Sequence, residues 1–386
     1  MYLDSMGAAH MKKIGYLGPP GTFTQEAALK YAGDGAELVC YDSLGSIMAA
    51  VESGEADEGV VPLENSTEGS VVQTMDLLAH RYDLKIKDEV VLGVSQYLLA
   101  RPGVALQDLT AVMSHPQALA QCRVFLEEKL PGVRLEEMSS TSEAARMVSL
   151  SPESWGAVAP GRAGRYHGLE VLWENIQDCR DNATRFAILG RQDCDLSPGC
   201  KTSLIVTGAN RPGSLYGILR EFALREINLA RIESRPAKKH LGEYLFFIDL
   251  EGHRAEPLVS EAIASVAGRA AEVKIIGSYP ADPAGLRKKT GQAPRREALA
   301  ELRAEIDMVD AQIVDLLGIR TRLVARVAGL KDAPENVRDP VREEEVIQKV
   351  KRLAKIKNTS AELVEDVYRL LMEHFVAMQK SLKSKV

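Results

Sequence analysis

The chain has 386 residues, 45% of them apolar and 26% charged, and a net charge of −6. That length exceeds what one hydrophobic core usually organises, so two or three domains are expected. The acidic balance excludes general nucleic-acid binding, which needs a basic face, and no apolar run reaches the length of a membrane span. The start, Met1–His10, is small and polar and lacks the basic and apolar stretches of a secretory signal. The five cysteines (Cys40, Cys122, Cys179, Cys194 and Cys200) are scattered and form no C-x-x-C pair. That pattern points to a reducing compartment, the cytoplasm, and away from a zinc site or a disulfide framework.

From Lys12 to about Gly190, short apolar runs alternate with helical patterns: a strand over Lys13–Leu17, a helix over Phe23–Tyr31, strands over Leu38–Tyr41 and Gly59–Pro62, and between them a helix over Ser43–Ser53. Such alternation predicts an α/β domain with mostly parallel strands, whose ligands bind near the strands' carboxyl ends. Four polar loops stand at such ends. Gly18-Pro19-Pro20-Gly21-Thr22-Phe23-Thr24 follows the first strand and opens a helix. Pro62-Leu63-Glu64-Asn65-Ser66-Thr67-Glu68-Gly69-Ser70 and Ser114-His115-Pro116-Gln117-Ala118-Leu119 repeat that arrangement, and Asn182-Ala183-Thr184-Arg185-Phe186 opens a late strand. Each taken alone reads as capping or turn chemistry; together they suggest a polar cleft for a carboxylate ligand. His80, His115 and His167 have no spaced carboxylate partners, so no metal site is expected.

A short linker, Asp193–Cys200, leads into a different texture. Strand (Thr202–Thr207), helix (Gly213–Leu224), strand (Asn228–Ser234), strand (Tyr244–Leu250), helix (Pro257–Ala267) and strand (Val273–Tyr279) make the βαββαβ order of a ferredoxin-like fold. A domain of this size has a marginal core, which makes pairing with another copy plausible.

Beyond a second linker at 281–294 the strand signals vanish. Leu299, Leu302, Ile306, Val309, Ile313, Leu316, Leu323, Val327 and Leu330 fall three or four apart, with Arg320 at the one polar position in the seam. One helix over Arg295–Lys331 would span roughly 54 Å at 1.5 Å per residue. It cannot bury its stripe within a small domain and needs a partner helix, expected from another subunit. Two further helices follow, near Val341–Lys357 and Ala361–Lys383. Arg303 and Lys331 flank the same seam as Arg320, and cations along a buried edge need a compensating anion.

The C-terminal stretch resembles the all-helical chorismate mutases. The residues that carry the resemblance are Arg303, Arg320, Lys331, the run Val337-Arg338-Asp339-Pro340-Val341-Arg342-Glu343, and Gln379. It implies that Arg320 and Arg303 clamp the two carboxylates of chorismate, with Arg303 supplied by the other subunit. Arg342 would help hold a carboxylate, Lys331 and Gln379 would bond the ether oxygen, and Asp339 and Glu343 would meet the ring hydroxyl. A serine common four residues before the glutamine is Phe375 here. The implied Claisen rearrangement needs a folded substrate and positive charge near the breaking C–O bond, not a nucleophile or metal.

The first segment, Lys12–Gly190, resembles the prephenate dehydratases. That implies a two-lobed fold like the type 2 periplasmic binding proteins, with the site between lobes. Thr184 would be the catalytic threonine, completed by Arg185 and Phe186, and Thr22, Asn65, Ser66, Thr67, Ser114 and Gln117 would line the cleft. The middle segment resembles the ACT regulatory domains of those enzymes through Asn210-Arg211-Pro212-Gly213-Ser214-Leu215 and Glu233-Ser234-Arg235-Pro236. Asn210, Pro212, Gly213, Ser214, Leu215, Glu233, Ser234, Arg235 and Pro236 would then bind phenylalanine as a feedback inhibitor.

The expectation is a multidomain enzyme of phenylalanine biosynthesis: an α/β dehydratase domain at 11–192, an α+β ACT domain at 200–280, and an all-α mutase domain at 295–386. Its small-molecule partners would be chorismate, prephenate and phenylalanine, with no cofactor and a homodimer or higher oligomer. A helical domain that only dimerises, a preference for arogenate, and a sensor or solute-binding protein are the competing readings.

Overall fold

The computed structural model describes residues 11–33, 35–179, 181–208, 211–238, 243–284, 295–330, 338–356 and 359–383. The chain forms two compact units, 1–287 and 288–386.

The first lobe contains β1 (Lys12–Leu17), α1 (Phe23–Ala32), β2 (Ala36–Tyr41), α2 (Leu44–Ser53), β3 (Glu58–Asn65), β4 (Gly69–Ser70), α3 (Val72–His80) and β5 (Lys85–Gly93). The second holds β6 (Tyr97–Ala100), β7 (Ala111–Ser114), α4 (Pro116–Gln121), α5 (Arg123–Lys129), β8 (Arg134–Glu137), α6 (Thr141–Leu150), β9 (Trp155–Ala159), α7 (Gly161–His167) and β10 (Glu170–Trp173). The chain then returns as β11 (Ala183–Gly190), which enters the first sheet between β3 and β5 and runs antiparallel to both. The sheet orders are β2-β1-β3-β11-β5, with β4 beside β3, and β10-β6-β9-β7-β8. Crossing out and back between two sheets makes the two-lobed, type 2 periplasmic-binding-protein-like arrangement.

Local chemistry sets the helix starts. Thr22 caps α1 by accepting from Gln25 N, Ser43 and Ser46 form a reciprocal capping box on α2, and Ser140 Oγ accepts from Glu143 N at α6. The two faces of the first sheet are covered separately. Ile14, Tyr16, Val60, Phe186 and Ile188 pack under α1, whereas Val61, Leu63, Ala187 and Leu189 pack towards α2 and α3.

The ferredoxin-like part follows: β12 (Cys200–Thr207), α8 (Ser214–Ala223), β13 (Leu229–Pro236), β14 (Tyr244–Glu251), α9 (Pro257–Ala267) and β15 (Glu272–Pro280), in the antiparallel order β13-β14-β12-β15. One face packs on its own helices through Leu204, Val206, Ile218, Phe222, Ile248 and Val259. The other face is not left for a second copy. Ile205, Leu245, Phe247, Ile276 and Tyr279 share one core with Leu84, Ile86, Ala187 and Leu189 of the first lobe. The approach is close at Gly277 (φ 141°), where a side-chain carbon would lie 2.1 Å from the Ile86 carbonyl oxygen, so only glycine fits.

The second unit consists of α10 (Arg295–Leu330), α11 (Pro340–Ile356) and α12 (Ala361–Lys383). Ile347, Val350 and Ala354 of α11 are buried, as are Ala328 of α10 and Phe375 of α12. Along α10, Ile306, Val309, Ile313, Leu316, Leu323 and Val327 stay exposed within the chain. Among the described residues, no helix is long and apolar enough to cross a membrane.

Candidate active sites

Strand pairing brings the polar loops of the first segment together. Asn65 ends β3, Thr184 stands near the start of β11, and the two are direct cross-strand partners. The strand expected over Gly59–Pro62 runs on to Asn65 because β11, more than a hundred residues later, pairs with it. Pro62 is accommodated at a register shift between Arg185 and Phe186, where a missing N–H does no harm.

Asn65 Oδ1 accepts from the backbone N–H of Thr67 (3.0 Å) and Glu68 (3.2 Å). Its amide nitrogen is therefore turned to Thr184 Oγ1, to which it donates at 2.9 Å. Ser66 Oγ accepts from Ala183 N (3.0 Å) and reaches Asn182 Oδ1 (3.3 Å), which staples the returning crossover to the β3 loop. Thr22 donates to Leu17 O (3.1 Å) while capping α1. In the second lobe, fully buried Ser114 ends β7 and donates to Val158 O. Gln117 lies exposed in the first turn of α4, where its backbone N–H donates to His115 Nδ1. All these positions fall at the carboxyl ends of the parallel strands or beside them, where open α/β sheets hold ligands. Hydrogen bonds bridge the lobes: Ser142 Oγ donates to Pro20 O, and Gln121 Nε2 donates to Glu68 Oε1 (3.0 Å).

Arg185 and Phe186 depart from the expectation that they complete this site. Alternation along a strand sends neighbours to opposite faces. Phe186 lies on Thr184's face but one step down, 1% exposed in the core under α1. Arg185 points through the other face, towards the ferredoxin-like sheet. Its Nε meets Glu89 (2.7 Å), Nη1 meets Asp249 (2.7 Å), and Nη2 donates to Tyr279 Oη (2.6 Å). Lys201 Nζ shares Glu89 (2.7 Å), and Ser203 Oγ donates to Asp249 (2.6 Å). Glu64, the neighbour of Asn65, lies 3.6 Å from both Arg185 and Arg231. Burial pushes the Asp249 carboxyl up, but Arg185, Arg231 and Ser203 outweigh it and hold it below the usual value. Losing one member of such a pair strands a buried charge, at a cost of about 3–5 kcal/mol. Sequence reasoning missed this network. Its available signal was Glu89, Lys201, Ser203 and Asp249, polar residues inside otherwise apolar strands.

Alternation also divides Glu233-Ser234-Arg235-Pro236. Glu233 and Arg235 face the first lobe: Glu233 meets Arg231 (2.5 Å) and Ser70, and Arg235 meets Asp76 (3.3 Å). Ser234 and Pro236 are exposed on the opposite face. Ser234 pairs with Phe246, which pairs with Val206 near the end of β12, so this segment and the turn before α8 share one end of the sheet. In that turn Pro212 and Gly213 are exposed and Ser214 and Leu215 half-buried; Asn210 lies outside the described residues.

In the helical unit, the Arg320 guanidinium lies 5.1 Å from the Tyr368 ring centre and 5.3 Å from that of Phe375. Phe375, in the place of the common serine, thus forms part of the arginine's bed. Gln379 is buried and donates to Val324 O (3.2 Å). Arg303 and Arg342 are exposed, and Arg342 pairs with Glu345 (2.7 Å). Asp339 caps α11 by accepting from Arg342 N (3.0 Å). Glu343 pairs with Arg338 (3.3 Å) and lines a cavity with Arg369, Met372, Glu373 and Lys380. Lys331 lies outside the described residues. Arg320 and Gln379 therefore stand on the α10–α12 seam, apart from the Arg338–Glu343 pair.

Comparison with known proteins gives each part a family. The prephenate dehydratase model matches residues 14–194, the ACT domain model 202–268 and the type II chorismate mutase model 302–380. A bifunctional chorismate mutase/prephenate dehydratase of Aquifex aeolicus is 40% identical over 268 residues, covering 69% of this chain and 73% of that protein. Prephenate dehydratase of Arthrobacter aurescens, solved in complex with L-Phe, has a TM-score of 0.65 at 33% identity, covering 77% of this chain and 99% of that one. A protein described as a novel type of quorum-quenching acylase gives 0.64 at 31% identity, covering 70% and 99%.

The class so defined is a two-lobed α/β enzyme with a regulatory sheet packed on its first lobe. The chain belongs to the prephenate dehydratase family, in the bifunctional form that also carries a chorismate mutase, here placed after the regulatory domain.

Proposed function

We propose that Thr184 donates a hydrogen bond to the ring hydroxyl of prephenate as its C–O bond breaks, one proton from solvent completing the departing water, while the C–C bond to the ring carboxylate breaks to release carbon dioxide and its electron pair aromatises the ring. The observation that carries this is the bond from Asn65 to Thr184. It occupies a lone pair of the threonine oxygen and leaves its proton for a ligand at the strand ends. Donation to a leaving oxygen is worth most in a site that excludes water. Thr22, Asn65, Ser66, Thr67, Ser114 and Gln117 form the walls, and Arg185 and Phe186 act on the site from behind the cleft. The side-chain amine that separates arogenate from prephenate would need a carboxylate partner. Of the loop carboxylates, Glu64 turns towards Arg185 and Arg231 and Glu68 accepts from Gln121. Prephenate is therefore the substrate we assign.

In the helical unit, Arg320 and Gln379 hold chorismate folded, aided by Lys331, Arg342, Asp339 and Glu343. Arg303 comes from a second copy. The exposed apolar stripe of α10 supports a homodimer or higher oligomer, because two such stripes bury each other. Phenylalanine acts as the effector at Asn210–Leu215 and Glu233–Pro236. The L-Phe complex of the Arthrobacter relative supports this. The functional parts span 11–192, 200–280 and 295–386, joined by 281–294, and the enzyme works in the cytoplasm, in keeping with its scattered cysteines.

The test is a coupled assay from chorismate, with and without phenylalanine, repeated on arogenate. Prephenate, then phenylpyruvate, should accumulate in order, with the second step suppressed by phenylalanine. Failure to form phenylpyruvate from prephenate, or a higher kcat/KM on arogenate, overturns the assignment.

A further inference from the structure

The strand segment that presents Thr184 and Asn65 to the cleft has a second face, and that face is held by another domain. Arg185 follows Thr184 and Glu64 precedes Asn65; the two are themselves cross-strand partners. Both turn away from the cleft into the ion network. Arg185 reaches Asp249 on β14 and Tyr279 on β15 of the ACT sheet, and Glu89 on β5 of the lobe. Arg231 on β13 lies 3.6 Å from Glu64 and 2.5 Å from Glu233, and it donates to Ser70 on β4, the strand paired with Glu64 and Asn65. Glu89 also accepts from Lys201 (2.7 Å) and from the backbone of Asp282 (3.0 Å). The β3–β11 register shifts just past this pair: Arg185 faces Glu64 and Phe186 faces Pro62, so Leu63 of β3 is the extra residue, and a bulge is where a strand changes the aim of a side chain. Here the strand ends beyond the bulge carry the Asn65–Thr184 pair on one face and, on the opposite face, the Glu64–Arg185 pair held by ACT residues.

We propose that Arg185 is a positioning residue for the dehydratase reaction, clamped by Asp249 of the ACT sheet, so that catalytic turnover at Thr184 depends on a carboxylate in the regulatory domain. This rests on the assignment of Thr184 above. Arg185 does not touch substrate. It sets the pose of the β3–β11 ends, and a misplacement of about 1 Å there can cost on the order of a hundredfold in rate.

The experiment uses the full chain with Arg185→Met, Arg185→Lys, Asp249→Asn and Tyr279→Phe, assayed on prephenate. Mutase turnover of the same samples reports intact enzyme concentration, and melting curves report folding. Arg185→Met should lower dehydratase kcat by about tenfold to a hundredfold with KM held within about twofold, the signature of lost positioning and not of lost substrate contact. Lysine should restore part of that loss. Asp249→Asn should reproduce it in weaker form, and the double variant with Arg185→Met should be no slower than Arg185→Met alone, because both act through one contact. Tyr279→Phe removes a single hydroxyl and decides the case if the charge variants do not fold. Unchanged kcat in Asp249→Asn and Tyr279→Phe, or a loss confined to KM, overturns the inference. Thr184→Ala separates the two readings: if it loses turnover while these variants keep it, only the inference falls, and if it keeps turnover, the assignment of Thr184 falls as well.

Discussion

Asn65 donates to Thr184 across the β3–β11 ladder at 2.9 Å, and two backbone N–H groups on Asn65 Oδ1 set the direction of that bond. The amide cannot flip without losing both. The threonine is thereby an acceptor towards the protein, which under the proposed role leaves its proton for the departing hydroxyl.

Removing the donor should be costly. Thr184→Ala is expected to lower dehydratase kcat by about 10²–10³-fold, as loss of one such preorganised donor does elsewhere. KM for prephenate should change little, and Thr184→Ser should keep measurable turnover. Steady-state kinetics on prephenate check this.

Reversing the polarity should also be costly. In Asn65→Asp an acceptor replaces the amide donor and competes for the threonine proton. Its kcat should fall at least as far as that of Asn65→Leu, by about tenfold or more. If Asn65→Asp turned over faster than Asn65→Leu, the bond's direction would be immaterial.

The two activities should separate by mutation. Arg320→Ala removes the cation lying against Tyr368 and Phe375. Mutase turnover should drop by at least about 10²-fold, while dehydratase turnover on prephenate stays near the parent value. Equal losses in both assays would contradict independent sites.

A charge in the α10 stripe should dissolve the assembly. Leu316 is 56% exposed in the single chain, yet lies on the stripe assigned to the subunit contact. Leu316→Glu should reduce the sedimentation mass and take mutase turnover with it, because Arg303 of the second copy is lost. A parent-like mass would refute the contact.

Stability of the first unit should depend on acid. Burial alone would raise the carboxyls of Asp249, Asp76 and Asp282. Arg185 and Arg231 at Asp249, Lys238 and Arg235 at Asp76, and the Val91 and Ala284 N–H groups with Lys30 at Asp282 outweigh it and hold each below its ordinary value. Groups lowered in the folded state contribute stability above their unfolded value and lose it as pH falls through the folded one. The melting temperature should therefore decline between about pH 5 and pH 3, and the decline should be shallower in Asp249→Asn.

Much of the fold was legible because its signals are local. Hydrophobic period, capping residues and polar loops identified the lobes' elements, the βαββαβ order and the long α10 without any partner. The three family segments were legible too, since their motifs are runs of neighbouring residues. The facing of a strand residue was not. Arg185 follows Thr184 in sequence, but which of the two meets the cleft depends on pairing with β3, set by a segment more than a hundred residues away. The same holds for Glu233 and Ser234, which part to opposite faces of β13.

The sequence by itself determined which elements form and where the three family segments fall, because period, charge and side-chain type are properties of short segments. Only the tertiary structure decided that the ACT sheet spends its second face on the dehydratase lobe and that Arg185 and Phe186 stand behind the site. It alone also joined the Asn65 amide to the Thr184 hydroxyl. These are matters of register and of which apolar faces meet, and both are settled only when distant strands pair.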